Sequence, residues 1–342
     1  MRAGGPLAIA RVASPGRAGN NVAMRAAVCS HLSDDLSGLA LHDDWPEPPV
    51  PGPGEVTVAV AFASLNFPDW LMLQGGYQFR PDMPFTPGTE ASGTVIAAGA
   101  GAEAWLGQRV VLGARSGLMA QRITLPAKGL RPVPDGLSMA QAAAFTVGAL
   151  TAWVGLVERG GLKAGERVLV TGAGGGMGRV AVQLAAHMGA HVVAAASTPA
   201  RLQLAREAGA HELIQVDRDN PAIPAKDIDL VFDPVAGPLV MPLVKSLRRG
   251  GRYAIIGFVG GRGDNVPLNR LLLKEIALIG VRAGEQGRQD PAAGVRHIQE
   301  IDARAVHMRP HIGLELPLDG VREAFAAMGA GRIDGKCVIR IS

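Results

Sequence analysis

The sequence predicts an α/β protein with a β-barrel domain and a second domain built on a doubly wound parallel sheet. Short strands separated by glycine and proline run from Met24 to about Thr146, which is typical of a compact barrel. From about Ala140 onward, strands and helices alternate, which indicates a parallel sheet with helices on both faces. With 342 residues, the chain is long enough for two domains, each with its own core.

A glycine-rich turn between a strand and a helix is the clearest motif. Residues 167–171 form an apolar, β-branched run. In the turn that follows, a glycine recurs at every third position, at Gly172, Gly175 and Gly178. A helical pattern of apolar residues then continues to Gly189. Such a turn offers backbone N–H groups at the positive end of a helix, where a pyrophosphate binds. A glycine turn can be purely structural, but the strand before it and the helix after it favour a dinucleotide site.

Composition and charge exclude several classes of protein. Hydrophobic residues make up 48% of the chain and charged residues 19%, so we expect a folded globular protein. No apolar run is long enough to cross a membrane, and the modest net charge of +4 argues against a nucleic-acid partner. Cys29 and Cys337 lie far apart, which excludes a disulfide-dense scaffold and favours a reducing, cytoplasmic compartment.

Residues 1–23 differ from the rest of the chain. They contain Arg2, Arg11 and Arg17 but no acidic residue, and they are rich in glycine and alanine. A targeting peptide can have this composition, although serines are few here. We favour a disordered extension or a start codon placed too early, because residues 24–28 already fit a first strand.

The barrel elements follow in order. Residues 46–54 are rich in proline and predict an extended turn, and residues 55–63 predict a strand. Residues 64–77 read as a polar turn leading into a short helix. Turns followed by strands are predicted over 85–99 and 107–113.

The second domain continues the alternation of strand and helix. After the strand at 167–171, the predicted strands are 191–196, 229–233, 253–257 and 276–281. The predicted helices are 139–157, 201–208, 239–247 (stopped by Gly250 and Gly251) and one that runs after about Gly284 through 295–301. A last strand over 336–341 has the composition to rejoin the first domain.

Six stretches, in this order and spacing, resemble the medium-chain dehydrogenase/reductase superfamily in its zinc-free NADPH:quinone oxidoreductase branch. They are Asn66-Phe67-Pro68-Asp69, Pro87-Gly88-Thr89-Glu90, Gly172 to Gly178, Asp233 to Gly237, Ile256-Gly257-Phe258 and Gly335-Lys336-Cys337-Val338. The resemblance implies a GroES-like catalytic domain over 24–147 and 285–342, interrupted by a Rossmann domain over 148–284. It also implies NADPH as cofactor, a small-molecule substrate and a homodimer.

The resemblance also places the cofactor site. The implied residues are Thr151, Gly172, Gly175, Gly176, Met177, Gly178, Ser197, Arg201, Gly257, Phe258 and Lys336. After the second strand, NAD enzymes have a carboxylate for the ribose hydroxyls, but this chain has only a hydroxyl at Ser197 and a cation at Arg201. Those groups suit the 2′-phosphate of NADPH, although Arg201 is also compatible with a solvated helix residue.

No metal is expected. Zinc alcohol dehydrogenases of this superfamily place Cys and His where this chain has Asn66 and Thr89, while Glu90 is retained. Amide and hydroxyl groups are poor substitutes for thiolate and imidazole as zinc ligands. Without a Lewis acid, the protein should favour acceptors that take hydride readily, such as quinones or conjugated enones.

Three residues are candidates for the catalytic step. Asn66 matches a family position from which it could bind the substrate oxygen or the nicotinamide ribose. Asp69 is either catalytic or a cap of the short helix that follows it. Tyr77 resembles the proton donor of related enoyl-thioester reductases, and an enone would need such an acid more than a quinone would.

The sequence therefore predicts a zinc-free oxidoreductase that passes hydride from NADPH to a quinone or an α,β-unsaturated carbonyl. An enoyl-thioester (acyl-CoA) reductase is the alternative enzyme. A non-catalytic NADPH-binding protein is the alternative of a different class.

Overall fold

The computed structural model describes residues 23–217, 219–263 and 265–342, and these form two compact units. The first unit contains the described chain up to Val147 together with Ile312–Ser342, and the second is Gly148–His311. The chain therefore returns to the first unit at Ile312, and not at residue 285 as the resemblance implied. The expectation for residues 1–23 lies outside the described residues except for Ala23, which begins the first strand.

The first unit is mainly β-structure. Its elements up to Val147 are β1 (Ala23–Cys29), β2 (Leu39–Pro46), β3 (Glu55–Ser64), α1 (Phe67–Leu73), β4 (Glu90–Ala98), β5 (Arg109–Gly113), β6 (Arg122–Pro126), β7 (Arg131–Pro132) and α2 (Met139–Ala143), with α3 (Thr146–Ala152) starting at its end.

The second unit alternates strands and helices. A π-helical turn (Trp153–Glu158) follows α3. Its further elements are β8 (Arg167–Thr171), α4 (Gly176–His187), β9 (His191–Ala196), α5 (Pro199–Glu207), β10 (Glu212–Gln215), β11 (Ile228–Asp233), α6 (Val240–Ser246), β12 (Leu247–Ile255), α7 (Leu268–Lys274), β13 (Ala277–Gly280), α8 (Ala283–Gln289) and α9 (Pro291–Ala303). The chain then adds β14 (Ile312–Pro317), α10 (Val321–Gly329) and β15 (Lys336–Arg340) to the first unit.

The main sheet of the first unit joins the last strands of the chain to β3–β7, while β1 and β2 form a separate two-stranded sheet. The strand order of the main sheet is β14-β15-β3-β4-β5-β7, with β6 also paired to β3. The last strand, β15, runs antiparallel to β3, with Val338 opposite Ser64. Alternate apolar residues of these strands, among them Val56, Val58 and Ile339, are fully buried in the barrel core. The sequence correctly predicted that the final strand rejoins the first domain.

The second sheet is parallel in every pairing and has the strand order β10-β9-β8-β11-β12-β13. From β8 the chain adds strands toward one edge of the sheet (β9, β10), and from β11 it adds them toward the other edge (β12, β13). The loops after β8 and β11 therefore flank a topological switch point. In doubly wound sheets, ligands bind at the carboxyl ends of the strands beside that point. The glycine-rich turn follows β8, which places it there.

Two predicted helices are interrupted in the structure. The predicted helix 139–157 is divided into α2, α3 and the π-helical turn, where Gly155 packs so tightly that a Cβ would lie 2.7 Å from the Phe232 ring. The predicted helix after Gly284 breaks at Pro291, since Asp290 ends α8 and caps α9 through its bond from the Ala293 N–H.

The helix predicted to run to Leu247 ends one residue earlier. Leu247 begins β12, so Gly250 and Gly251 lie inside a strand segment instead of stopping the helix. Among the described residues, no helix combines the length and the apolar composition that crossing a membrane requires.

Candidate functional site

The glycine-rich turn has the geometry of an anion-binding helix start. Gly172 follows β8 with φ +57°, a conformation that favours glycine, and Gly175 is the N-cap of α4. The first N–H groups of α4 have no acceptors within the helix, and the helix dipole makes this end positive. Gly176, Met177 and Gly178 supply these N–H groups, as the sequence predicted. The arrangement suits a pyrophosphate.

Two glycines are required because other backbone lies against them. A Cβ on Gly178 would lie 2.2 Å from the Gly172 carbonyl oxygen, so glycine is what allows α4 to start this close to the turn. A Cβ on Gly174 would lie 2.5 Å from the Cβ of Arg201. The first turn of α5 is therefore in direct contact with the glycine turn. The sequence analysis missed this role of Gly174, because the contact is made by a residue 27 positions later.

A buried carboxylate holds together the loops beside the glycine turn. Asp233, which ends β11 and is completely buried, accepts hydrogen bonds from the hydroxyls of Thr171 and Tyr253. It also accepts from the backbone N–H groups of Val235 (2.9 Å) and Ala236 (3.0 Å). Burial and the adjacent carboxylate raise the pKa of Tyr253, so this hydroxyl remains a donor. Asp233 thus fixes the ends of β8, β11 and β12.

Sequence reasoning did not assign this role to Asp233. The available signal was a carboxylate that ends an apolar strand and directly precedes a proline. Charged groups at such a position need several donors if they are buried.

The predicted phosphate-binding residues lie just past the end of β9. Ser197 is half-exposed, and Thr198 caps α5 by accepting from the Arg201 N–H at 3.3 Å. Arg201 is half-buried, with its main chain against Gly174. The Arg201 side chain therefore starts beside the glycine turn, four residues after the Ser197 hydroxyl.

The other predicted cofactor residues of this unit lie on α3 and just after β12. Thr151 is one turn after Gly148, where an added Cβ would lie 3.6 Å from the Val180 side chain of α4. The backbone of Gly257 lies close to Pro234, and the Phe258 side chain is 53% exposed.

A second polar cluster lies inside the barrel unit. It consists of five side chains from α1, β15 and the start of β4, namely Asn66, Asp69, Thr89, Glu90 and Lys336. Four of them are buried, and Thr89 is half-buried. Sequence reasoning identified the individual positions but did not predict that Lys336 joins the others.

An ammonium group lies at the centre of this cluster. Lys336 Nζ donates to Asn66 Oδ1 at 2.7 Å and to Glu90 Oε1 at 2.8 Å, with a longer contact of 3.4 Å to the Leu65 carbonyl. Glu90 Oε2 accepts from the Val147 N–H at 2.9 Å. The Lys336 ammonium thus has three acceptors within the barrel unit, and its predicted contact with the cofactor stays a prediction.

Asn66 uses its whole amide group within the cluster. Its Nδ2 donates to Thr89 Oγ1 at 3.2 Å and to Glu90 Oε1 at 3.0 Å, while its Oδ1 accepts from Lys336. An amide nitrogen has two hydrogens, and both therefore have acceptors.

Asp69 combines a capping role with an unusual charge state. Its Oδ2 accepts from the Asn66 N–H at 2.9 Å and from Thr89 Oγ1 at 3.1 Å, whereas its buried Oδ1 has no hydrogen-bond partner among the described residues. Complete burial, with a smaller contribution from Glu90, raises the pKa of Asp69 to about 7. The structural alternative of the sequence analysis, a cap on α1, is present, and the carboxyl also holds a proton up to neutral pH.

Tyr77 lies in the loop after α1. It is half-buried and packs against the barrel core, and within the described chain its hydroxyl makes no hydrogen bond. The hydroxyl is therefore available to a ligand.

Comparison with known proteins agrees with this geometry. Residues 52–135 match the family model described as "Alcohol dehydrogenase GroES-like domain", and residues 176–300 match the model described as "Zinc-binding dehydrogenase". Quinone oxidoreductase-like protein 2 of Bos taurus is 33% identical over 93% of this chain and 92% of its own length.

Solved structures show the same fold. The quinone oxidoreductase of Thermus thermophilus superposes with a TM-score of 0.80 at 32% identity, covering 93% of this chain and all of its own. A probable oxidoreductase of Mycobacterium abscessus has a TM-score of 0.82 at 31% identity, covering 94% of this chain and all of its own.

The chain belongs to the medium-chain dehydrogenase/reductase superfamily and is an oxidoreductase with its GroES-like and Rossmann domains. Within that superfamily it falls in the quinone oxidoreductase branch.

The name of one matched family raises the question of zinc, and the residues here do not fit that metal. Asn66, Thr89 and Glu90 supply an amide, a hydroxyl and one carboxylate, and the Lys336 ammonium already lies between two of them. Zinc sites use thiolate, imidazole and carboxylate ligands, and a bound cation would be repelled by the ammonium. Among the described residues, no group of three or more His, Cys, Asp or Glu side chains could hold a metal ion.

Proposed function

We propose that the protein is an NADPH-dependent oxidoreductase that works without zinc and reduces a quinone or an α,β-unsaturated carbonyl. The observation that carries this proposal is the Lys336 ammonium bound between Asn66 and Glu90. The ammonium places a fixed positive charge beside Asn66 and Glu90, whereas a metal at this position would need anionic or imidazole ligands. An oxidoreductase built this way must use acceptors that take hydride without a Lewis acid.

The residues around the glycine turn support the choice of cofactor. The N–H groups of Gly176, Met177 and Gly178 would hold the pyrophosphate, and the Arg201 guanidinium with the Ser197 hydroxyl would hold a 2′-phosphate. When bound, NADPH supplies a hydride from C4 of its nicotinamide. The related Thermus quinone oxidoreductase is described in complex with NADPH, which agrees with this choice.

A screen of acceptors tests the proposal. NADPH oxidation is measured with quinones, enals, enoyl-CoA esters and, as a negative control, saturated ketones. We expect turnover with at least one quinone or conjugated carbonyl and none with saturated ketones. Turnover restricted to saturated ketones would contradict the proposal, and no turnover with any acceptor would favour the non-catalytic NADPH-binding protein.

The enoyl-thioester reductase remains the second candidate because the Tyr77 hydroxyl has no partner among the described residues. After hydride addition, an enone or enoyl-thioester becomes an enolate that needs a proton, whereas a hydroquinone anion can take its proton from water. Substitution of Tyr77→Phe removes only the hydroxyl. If the substrate is an enoyl-thioester, turnover should fall by roughly 10²–10⁴-fold, the usual contribution of a general acid. Phe79→Leu, in the same loop, is the control.

A homodimer is proposed from an exposed apolar patch on the second unit. Leu268, Leu272 and Leu273 of α7 are each more than 70% exposed, and Leu278 lies on the adjoining edge strand β13. Exposed leucines beside an unpaired sheet edge are typical of an interface, and a second copy of the chain would cover both at once.

A further inference from the structure

We propose that Lys336 is a positioning residue for Asn66. Together with Glu90, its ammonium fixes the Asn66 amide in one orientation, so that a ligand meets only an acceptor oxygen there. This inference rests on the proposed function for its kinetic readout, but the orientation itself is a property of the free protein.

The orientation follows from what the two charged groups require. A carboxylate only accepts hydrogen bonds and an ammonium only donates them. Glu90 Oε1 therefore needs the amide nitrogen of Asn66, and Lys336 Nζ needs its oxygen, as the distances of 3.0 Å and 2.7 Å show. A rotation of the amide by half a turn would place oxygen against carboxylate and N–H against ammonium.

Lys336 is itself held firmly. Its side chain is 8% exposed, and it begins β15, whose backbone is paired with β3 and β14. Glu90 is 1% exposed and is also held by the Val147 N–H. In a buried environment such an ion pair is strong only if both partners remain, and loss of one leaves an uncompensated charge.

The fixed amide of Asn66 limits the ligand groups with which it can form hydrogen bonds. Both Nδ2 hydrogens are already donated to Thr89 and Glu90, and Oδ1 has one lone pair left after Lys336. A substrate carbonyl needs a hydrogen-bond donor, and this amide has none left to offer. A ligand hydroxyl, such as that of a ribose, can donate to the remaining lone pair of Oδ1. Of the two roles that the sequence left open for Asn66, the geometry points to the hydroxyl.

A double-mutant cycle tests the positioning role through turnover of NADPH with the best acceptor. Lys336→Met should lower kcat/KM by about tenfold in the native background, as expected for loss of a charge-assisted hydrogen bond. In the Asn66→Ala background, the same substitution should change kcat/KM by less than about twofold, since nothing remains to be positioned. Equal losses in both backgrounds would show that Lys336 acts independently of Asn66 and would overturn the proposal.

Two further variants keep the test decisive. Lys163→Met, on an exposed side chain of the second unit, is the control for removing a lysine charge. If Lys336→Met alone does not fold, the double change Lys336→Met with Glu90→Gln replaces it in both backgrounds, because removing both charges together leaves neither one unpaired. The same non-additivity is then expected, and additive losses again contradict the proposal.

Amide exchange provides a readout that needs no turnover. The two side-chain amide hydrogens of Asn66 should exchange with solvent much more slowly than those of the exposed Asn269, and Glu90→Gln with Lys336→Met should remove most of that protection. A native Asn66 amide that exchanges as fast as Asn269 would overturn the inference. If the native protein turns over no acceptor, the proposed function fails, while this exchange experiment still decides whether the Asn66 amide hydrogens are held by Thr89 and Glu90.

Discussion

We propose that Arg201, beside Ser197, is the residue whose charge favours NADPH over NADH. Its main chain contacts Gly174, so its guanidinium starts at the edge of the turn that would hold the pyrophosphate. We expect NADPH to bind more tightly than NADH and Arg201→Ala to remove most of that preference. One charge-assisted contact contributes roughly 1.5–3 kcal/mol, so the preference should change by about tenfold or more.

The measurement is the dissociation constant of each nucleotide by fluorescence titration. Arg296→Ala, which removes an exposed charge from α9, is the matched control and should leave the preference unchanged. Equal affinity of the native protein for both nucleotides would reject this role for Arg201.

Asp69 makes stability depend on pH. Its pKa rises from 3.8 to about 7 on folding, so between these values the folded state holds a proton that the unfolded state has released. The contribution to stability is therefore largest at low pH, falls as pH rises through about 7, and levels off above that. Glu90 and Lys336 are the charged groups that face it.

Asp69→Asn keeps the size of the side chain and removes the titration. Urea unfolding at about pH 5 and about pH 8 should show that the native protein loses roughly 2–3 kcal/mol more stability over this interval than the variant does. If both proteins lose the same amount, Asp69 does not hold a proton in the folded state.

At the scale of single elements, the close approach of α4 to the end of β8 forms the proposed dinucleotide site. The approach is possible only because Gly178 has no Cβ, since that atom would lie 2.2 Å from the Gly172 oxygen. Gly178→Ala must therefore displace backbone. We expect NADPH affinity to fall by at least about tenfold and stability to drop by roughly 1–3 kcal/mol.

The control for this substitution is Gly129→Ala, because a Cβ at Gly129 meets no atom within 4 Å. Binding and thermal unfolding of both variants are compared with the native protein. Native affinity in Gly178→Ala would place the nucleotide away from this turn.

Local signals explain which elements could be predicted from the sequence. The glycine turn, β3 and β9 were predicted correctly because their patterns lie within a few neighbouring residues. The π-helical turn inside the helix predicted over 139–157 was missed, and there Gly155 packs against Phe232, which is far away in the chain. The Asp233 anchor and the contact of Lys336 with Glu90 were missed for the same reason. A contact between side chains that are far apart in the sequence cannot be recognised from either position alone.

For the whole molecule, we predict a dimer that depends on the leucines of α7. Leu272→Glu places a charge in the exposed patch and should convert the protein to monomer without unfolding it. Light scattering coupled to size-exclusion chromatography measures the mass of each variant. Val50→Glu, at an 89% exposed position of the barrel unit, is the control and should not change the mass. A native protein that is monomeric at all concentrations would contradict the prediction.

We propose that the barrel unit uses a lysine, and no metal, beside Asn66 and Glu90. The most direct test is the rate of NADPH oxidation with the best quinone or enone, measured before and after dialysis against a strong chelator, with zinc determined by elemental analysis. We predict an unchanged rate and far less than one zinc per chain. Stoichiometric zinc that is lost together with activity, and restored together with it, would contradict the claim.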